Sequence, residues 1–135
     1  MQETFYNLGR IEAIARLFEG TGYKPFEDCR FETSGKSYIS EYSRVMLEGI
    51  DFDLTYFPLK HLGYKSVISV TGELYAVMAR PKTLSVSLGI SSKLDFGQIK
   101  EIWEGTVTAA KEHGYAKIAL DLVPSRNGLY ISVSA

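Results

Sequence analysis

The sequence predicts a domain of the α/β (α+β) class, and its hydrophobic patterning carries that prediction. Two long segments, Pro58 to Val77 and Asp95 to Gly114, keep apolar residues at helical spacing. Shorter segments, clearest in Thr83 to Gly89, alternate apolar with small polar residues as a half-buried strand does. Gly and Pro separate these segments, as at Gly35, Pro81, Gly114 and Pro124.

From Glu3 to Phe18, the residues Ile11, Ile14, Ala15 and Phe18 recur at helical spacing and Gly20 and Gly22 stop the pattern, which gives an amphipathic opening helix. Thr21 to Lys36 mixes Gly, Pro, Asp and Ser and reads as irregular. Gly35 then turns the chain into a strand from Tyr38 to Leu47, which Glu48-Gly49 ends. Asp51 to Pro58 is aromatic-rich without a period, and Pro58 suits the first turn of a helix because its missing N–H costs nothing there. Leu59, Leu62, Val67, Val70, Leu74 and Val77 line a broad helical stripe.

The β-branched residues Val67, Ile68, Val70 and Thr71 argue for a strand instead, and Gly72 costs a helix roughly 1 kcal/mol against Ala. The persistence of the apolar spacing and the stop at Pro81 decide for a long, buried helix. After it, Leu84, Val86 and Leu88 alternate with Thr83, Ser85 and Ser87 in a strand. Asp95 is placed to cap a helix carrying Ile99, Ile102, Trp103, Thr106, Val107 and Ala110, which His113-Gly114 closes. Lys117 to Val123 is a short apolar strand, residues 124–128 a turn, and Leu129, Ile131 and Val133 alternate in a final strand. The expected order is α, β, β, α, β, α, β, β. No repeat, low-complexity tract or linker divides the chain, so a single domain over residues 1–135 is expected. The sequence stops at or inside its last strand, which is therefore expected to be covered by a partner or followed by more chain.

A chain of 135 residues can bury a core without metal or disulfide, and 45% hydrophobic with 23% charged residues excludes the composition of a disordered segment. Fifteen basic residues against sixteen acidic ones leave a net charge of −1, so nucleic acid and anionic membranes are not expected partners. The single Cys29 cannot form an internal disulfide and is expected to be a packing residue, because the two histidines lie at unrelated places. The start of the sequence lacks a basic stretch followed by an apolar run, so a cytoplasmic location is expected.

Chemistry-bearing motifs are sparse. Gly20-Thr-Gly22 lacks the lysine and the strand-to-helix setting of a phosphate loop. His61 and His113 have no second ligand at helical spacing, which argues against zinc. Glu48, Asp51, Asp53, Glu73 and Asp121 could converge on a divalent ion, although carboxylates are more often solvated or cap helices. Asp121 stands out because it interrupts an apolar run near the carboxyl end of a strand, where open sheets place ligand-binding groups.

The segment from Leu47 through Gly49-Ile-Asp-Phe52 to His61 and Lys65 resembles the N-terminal domain of the aminoimidazole ribonucleotide synthetase superfamily, in particular its thiamine-monophosphate kinase branch. The resemblance continues through Glu73 to Lys82, Val86 to Gly89, Glu101 to Gly105, Asp121 and Gly128 to Ser132. It implies a mixed four- to five-stranded sheet with helices on one face. It also implies ATP and magnesium held by acidic motifs, and pairing of two such domains through their sheets.

Against that pattern the acidic motifs are depleted. Glu32-Thr-Ser-Gly-Lys-Ser37 stands where paired aspartates are expected, Arg44 matches a family aspartate, Val70-Thr-Gly-Glu73 retains only a longer carboxylate, and Ala119-Leu-Asp-Leu122 retains Asp121 without flanking glycines. Glu73 and Asp121 are therefore the candidate metal ligands, and Lys60, Lys65 and Arg126 the candidate cofactor-binding residues. Phosphoryl transfer depends on metal neutralisation. The resulting expectation is a non-catalytic relative that dimerises or binds a protein partner and needs no cofactor. The alternatives are a residual ATP or phosphate-ligand binder, or one part of a split kinase. The strand from Thr83 to Gly89 and the final strand are the expected interface.

Overall fold

The computed structural model describes residues 4–27, 29–33, 35, 37–54 and 58–135. The packing role expected of Cys29 concerns a side chain outside that description, as does Glu3 at the start of the opening helix. The opening segment forms two helices, α1 (Phe5–Leu8) and α2 (Arg10–Phe18), rather than one. Gly9, at φ 82°, breaks the run with a conformation that side chains avoid.

The segment read as irregular contains a strand, β1 (Cys29–Thr33), paired antiparallel with β2 (Ser37–Glu41). The strand expected from Tyr38 to Leu47 is in fact two, because the chain changes partners at Tyr42. β2 pairs with β1, whereas β3 (Ser43–Leu47) pairs with the last strand, β6 (Tyr130–Ser134). Alternation alone carries no record of which neighbour a strand takes.

Helix α3 (Leu59–Ala76) settles the competition between helix and strand in favour of helix. Its buried residues Leu62, Gly63, Ser66, Val67, Val70, Thr71 and Leu74 recur in pairs every four positions and form one continuous stripe. Burial of that stripe outweighs the propensity cost of the β-branched residues. The buried hydroxyls of Ser66 and Thr71 donate back to the Gly63 and Val67 carbonyls, each at 2.7 Å. Pro58 is the N-cap, one position ahead of the first helical residue.

Helix α4 (Phe96–Glu112) begins on a reciprocal cap. The Gln98 N–H donates to Asp95 Oδ1 at 2.8 Å and the Asp95 N–H donates to Gln98 Oε1 at 3.0 Å. It ends as expected, with His113 as the C-cap and Gly114 following at φ 75°.

Strands β3, β6, β4 (Thr83–Ile90) and β5 (Lys117–Pro124) form one mixed sheet in that order, parallel only between β4 and β5, which α4 connects. One face carries Leu84, Val86, Leu88, Ile131 and Val133, all buried against α3 and α4. The resulting arrangement is a four-stranded mixed sheet with helices on one face. The other face carries Ser85, Ser87, Ser132, Ser134 and Asp121, which share register rows on the opposite side. Neither strand expected at the interface is an edge, since β4 and β6 are both paired on two sides and the edges are β3 and β5.

Helices α3 and α4 cross with their backbones almost touching. A Cβ added at Gly63 would lie 1.9 Å from the Ile102 carbonyl oxygen, and one added at Gly105 would lie 1.8 Å from that of Lys60. Both distances are well inside van der Waals contact, so these glycines are required for space rather than for turn geometry. Two turns further along α3, the Tyr115 hydroxyl lies 2.8 Å from Thr71 Oγ1. Partial burial pushes the Tyr115 phenol above its ordinary value.

Gly63→Ala and Gly105→Ala are each expected to destabilise the chain by at least about 1–3 kcal/mol in urea denaturation, through overpacking against rigid backbone. Gly72→Ala, with nothing within 4 Å of the added carbon, should instead stabilise by about 0.5–1 kcal/mol. The raised phenol has a defined sign, because above the ordinary tyrosine value of about 10 the unfolded chain releases the proton first. Stability should therefore fall as pH rises past that point, and less steeply in Tyr115→Phe, as thermal unfolding across alkaline pH would register.

Candidate functional site

Arg44 and Glu73 occupy two positions at which the family resemblance expects acidic metal ligands. β3 places Arg44 in register with buried Val133, on the helix-covered side of the sheet, and α3 brings Glu73 to meet it. Arg44 Nη2 donates to Glu73 Oε1 at 2.9 Å, with the two side chains 51% and 44% exposed. At that exposure the pair contributes on the order of 0.2–1 kcal/mol, so its weight is chemical more than energetic. The guanidinium supplies a fixed positive charge next to the carboxylate where a divalent cation would have to bind.

Asp121 lies elsewhere. It is in the middle of β5 rather than at its carboxyl end, opposite Ser87, on the face of the sheet away from the helices. The sheet therefore stands between Glu73 and Asp121. Asp121 is solvent-exposed, which removes the need for a buried partner. Among the described residues no three His, Cys, Asp or Glu side chains form a group able to hold a metal ion. The described residues thus do not build a metal site from protein ligands alone.

The three basic candidates are also dispersed. Lys60 Nζ lies 3.4 Å from Glu104 Oε2, linking α3 to α4. It lines a cleft of about 360 Å³ with His61, Tyr64 and Gly105, and neither Lys65 nor Arg126 reaches that cleft. Beside it, Tyr64 donates to Glu112 Oε2 at 2.5 Å, and this bond to a carboxylate pushes the Tyr64 phenol up. Lys65 is an exposed residue of α3, and Arg126 lies in the exposed turn between β5 and β6. Arg80 and Lys82 flank Pro81. Both line a separate cavity where β4 begins.

The side of the sheet away from the helices remains open. A row of Val45, Ser132, Ser87 and Asp121 runs across it, followed by a row of Leu47, Tyr130, Gly89 and Val123. Tyr130 packs over Gly89, where an added Cβ would stand 3.1 Å from the ring. On edge strand β5, Leu120, Leu122 and Val123 are 42%, 50% and 48% exposed, so both faces of that strand present apolar surface. No described helix is long and apolar enough to cross a membrane.

No protein-family model matches the chain. It is 30% identical over 90 residues to the thiamine-monophosphate kinase of Bacillus subtilis (strain 168), an alignment taking in 67% of this chain and 28% of that protein. The structure of AaThiL complexed with AMPPCP and TMP matches with a TM-score of 0.86 at 18% identity, over 99% of this chain and 43% of that one. A chain of the HypE-HypF complex matches with a TM-score of 0.58 at 23% identity, over 70% of this chain and 31% of that one. The sequence thus spans less than half the length of these relatives. Sequence and fold together make the chain a homologue of thiamine-monophosphate kinase, with the aminoimidazole ribonucleotide synthetase-like fold of an N-terminal-like domain.

Proposed function

We propose that residues 1–135 act as a non-catalytic, cytoplasmic N-terminal-like domain that associates through its sheet, as a homodimer or with a related protein partner. The observation that carries this reading is the Arg44–Glu73 ion pair, which fills two of the family's acidic positions with a self-neutralising pair. Phosphoryl transfer requires charge neutralisation between nucleotide and protein, and a carboxylate engaged by a guanidinium is a poor cation ligand. AaThiL was solved with AMPPCP and TMP, so retained nucleotide binding is the competing reading. The HypE-HypF complex supports a partner-binding role for the fold.

The edge strand β5 supports the route of association. An eight-residue edge with half-exposed Leu120, Leu122 and Val123 is an association hazard unless a second strand covers it. Antiparallel pairing of β5 with a second copy, centred on Ala119, sets Lys117 opposite the partner subunit's Asp121 and satisfies both charges across a two-fold axis. In this reading Asp121 is an interface residue rather than a metal ligand.

Titration calorimetry with ATP and magnesium is expected to show no saturable binding, and light scattering in the same buffer should give twice the chain mass. Saturable, magnesium-dependent binding would return the chain to the nucleotide-binding reading, and a monomer at high concentration would remove self-association. Asp121→Lys should weaken the dimer about tenfold by setting like charges opposite one another, and the exchange Lys117→Asp with Asp121→Lys should restore it. Failure of the double exchange to restore a dimer lost in the single variant would overturn the proposed pairing.

A further inference from the structure

Residues 4–27 leave Phe5, Tyr6, Ile11, Leu17, Tyr23 and Phe26 exposed. Neither α1 nor α2 has a buried residue, and none of their side chains belongs to the core cluster or packs against it among the described residues. Yet α2 is strongly two-sided. At about 100° per residue, Ile11, Ile14, Ala15 and Phe18 fall on one stripe and Ala13 falls on the far side. A helix of nine residues is marginal in water by itself, so a stripe of this kind needs a surface to pack against.

A second, independent observation is the size of the surface. The chain exposes 9681 Å² at a mass of 15.1 kDa, whereas a folded monomer of that mass exposes about 7,100 Å². The excess of about 2,600 Å² is at the upper end of what one subunit buries in an obligate dimer. A pair of nine-residue helices covers only a fraction of it, so a contact through α2 has to accompany a second contact elsewhere on the chain.

The stripe and its charges are self-complementary. Glu12 and Arg16 pair along α2 at 3.1 Å and lie together on one flank of the stripe. In an antiparallel helix pair about a two-fold axis, each flank faces its own copy. A register centred between Ile14 and Ala15 sets Ile11 opposite the partner subunit's Phe18 and Ile14 opposite the partner subunit's Ala15. It also brings Glu12 beside the partner subunit's Arg16, so that four charges alternate along one flank. Ala15, the smallest side chain of the stripe, falls at the centre, where the helices approach most closely. We propose that α2 packs antiparallel against α2 of a second copy of this chain, covering Ile11, Ile14, Ala15 and Phe18. The inference rests on the self-association proposed above and adds a contact in which the sheet takes no part.

Light scattering of the intact chain over a concentration series is expected to show Ile14→Glu weakening the dimer about tenfold, because a carboxylate then meets apolar surface and its own copy at the seam. Tm at a concentration where the unsubstituted chain is monomeric should not move, since Ile14 is outside the core. A merely structural Ile14 would lower that Tm and leave the dimer constant alone. In a Cys29→Ser background, Ala15→Cys is expected to form a covalent dimer on mild oxidation, and Ala13→Cys on the far side is not. A dimer indifferent to Ile14→Glu that shows no preference for Ala15→Cys over Ala13→Cys would overturn the α2 contact and leave the sheet contact standing. A chain that is monomeric at every concentration would overturn both, and its sedimentation with phosphatidylcholine vesicles would assign the stripe to a lipid surface instead.

Discussion

Two carbonyl oxygens set the spacing on which the helical layer rests. The Lys60 carbonyl faces the α-carbon of Gly105 and the Ile102 carbonyl faces that of Gly63, each closer than any side chain would allow. α3 and α4 meet backbone to backbone, and Leu62, Val67, Val70 and Ile102 of these helices are fully buried in one cluster with Leu84, Val86, Ile131 and Val133. Thr106 fits the same narrow space by donating its hydroxyl to the Ile102 carbonyl at 3.0 Å. The core is thus closed by the absence of two side chains as much as by the presence of apolar ones.

That arrangement commits the sheet to a one-sided core. With both long helices on one face, the serine-rich rows of β4 and β6 stay open on the other, and β5 is covered on neither face along most of its length. An open face lined with small hydroxyl side chains is inexpensive to leave in water and equally ready to pack against a second sheet. The apolar residues of β5 are less comfortable in solvent, which favours the proposed association.

The fold and the charge pattern of this chain rest on different interactions. The fold depends on apolar burial, capping and the glycine crossing, all of which are intact. Arg44, which stands where the family resemblance expects an aspartate, forms an ion pair with Glu73 instead of adding to its negative charge. The core holds whichever charge stands at that exposed position, because fold and site rest on different residues.

Much of this was determined by the sequence alone. The period of apolar residues defined α3, α4 and β4, and Asp95 and Gly114 marked the ends of α4, because helix periodicity and capping are local and act within a few residues. The reversal of charge at Arg44 was equally legible. Only the tertiary structure decided that one strand changes partners at Tyr42, that β4 and β6 are interior, and that Glu73 and Asp121 lie on opposite faces of a sheet. Strand order and facing are settled by long-range pairing, and two-residue alternation is the same whichever neighbour a strand takes. The pairing of Arg44 with Glu73 across 29 positions, and the gathering of Arg80, Lys82 and Met78 around one cavity, likewise depend on which elements meet in space. No local pattern records that meeting.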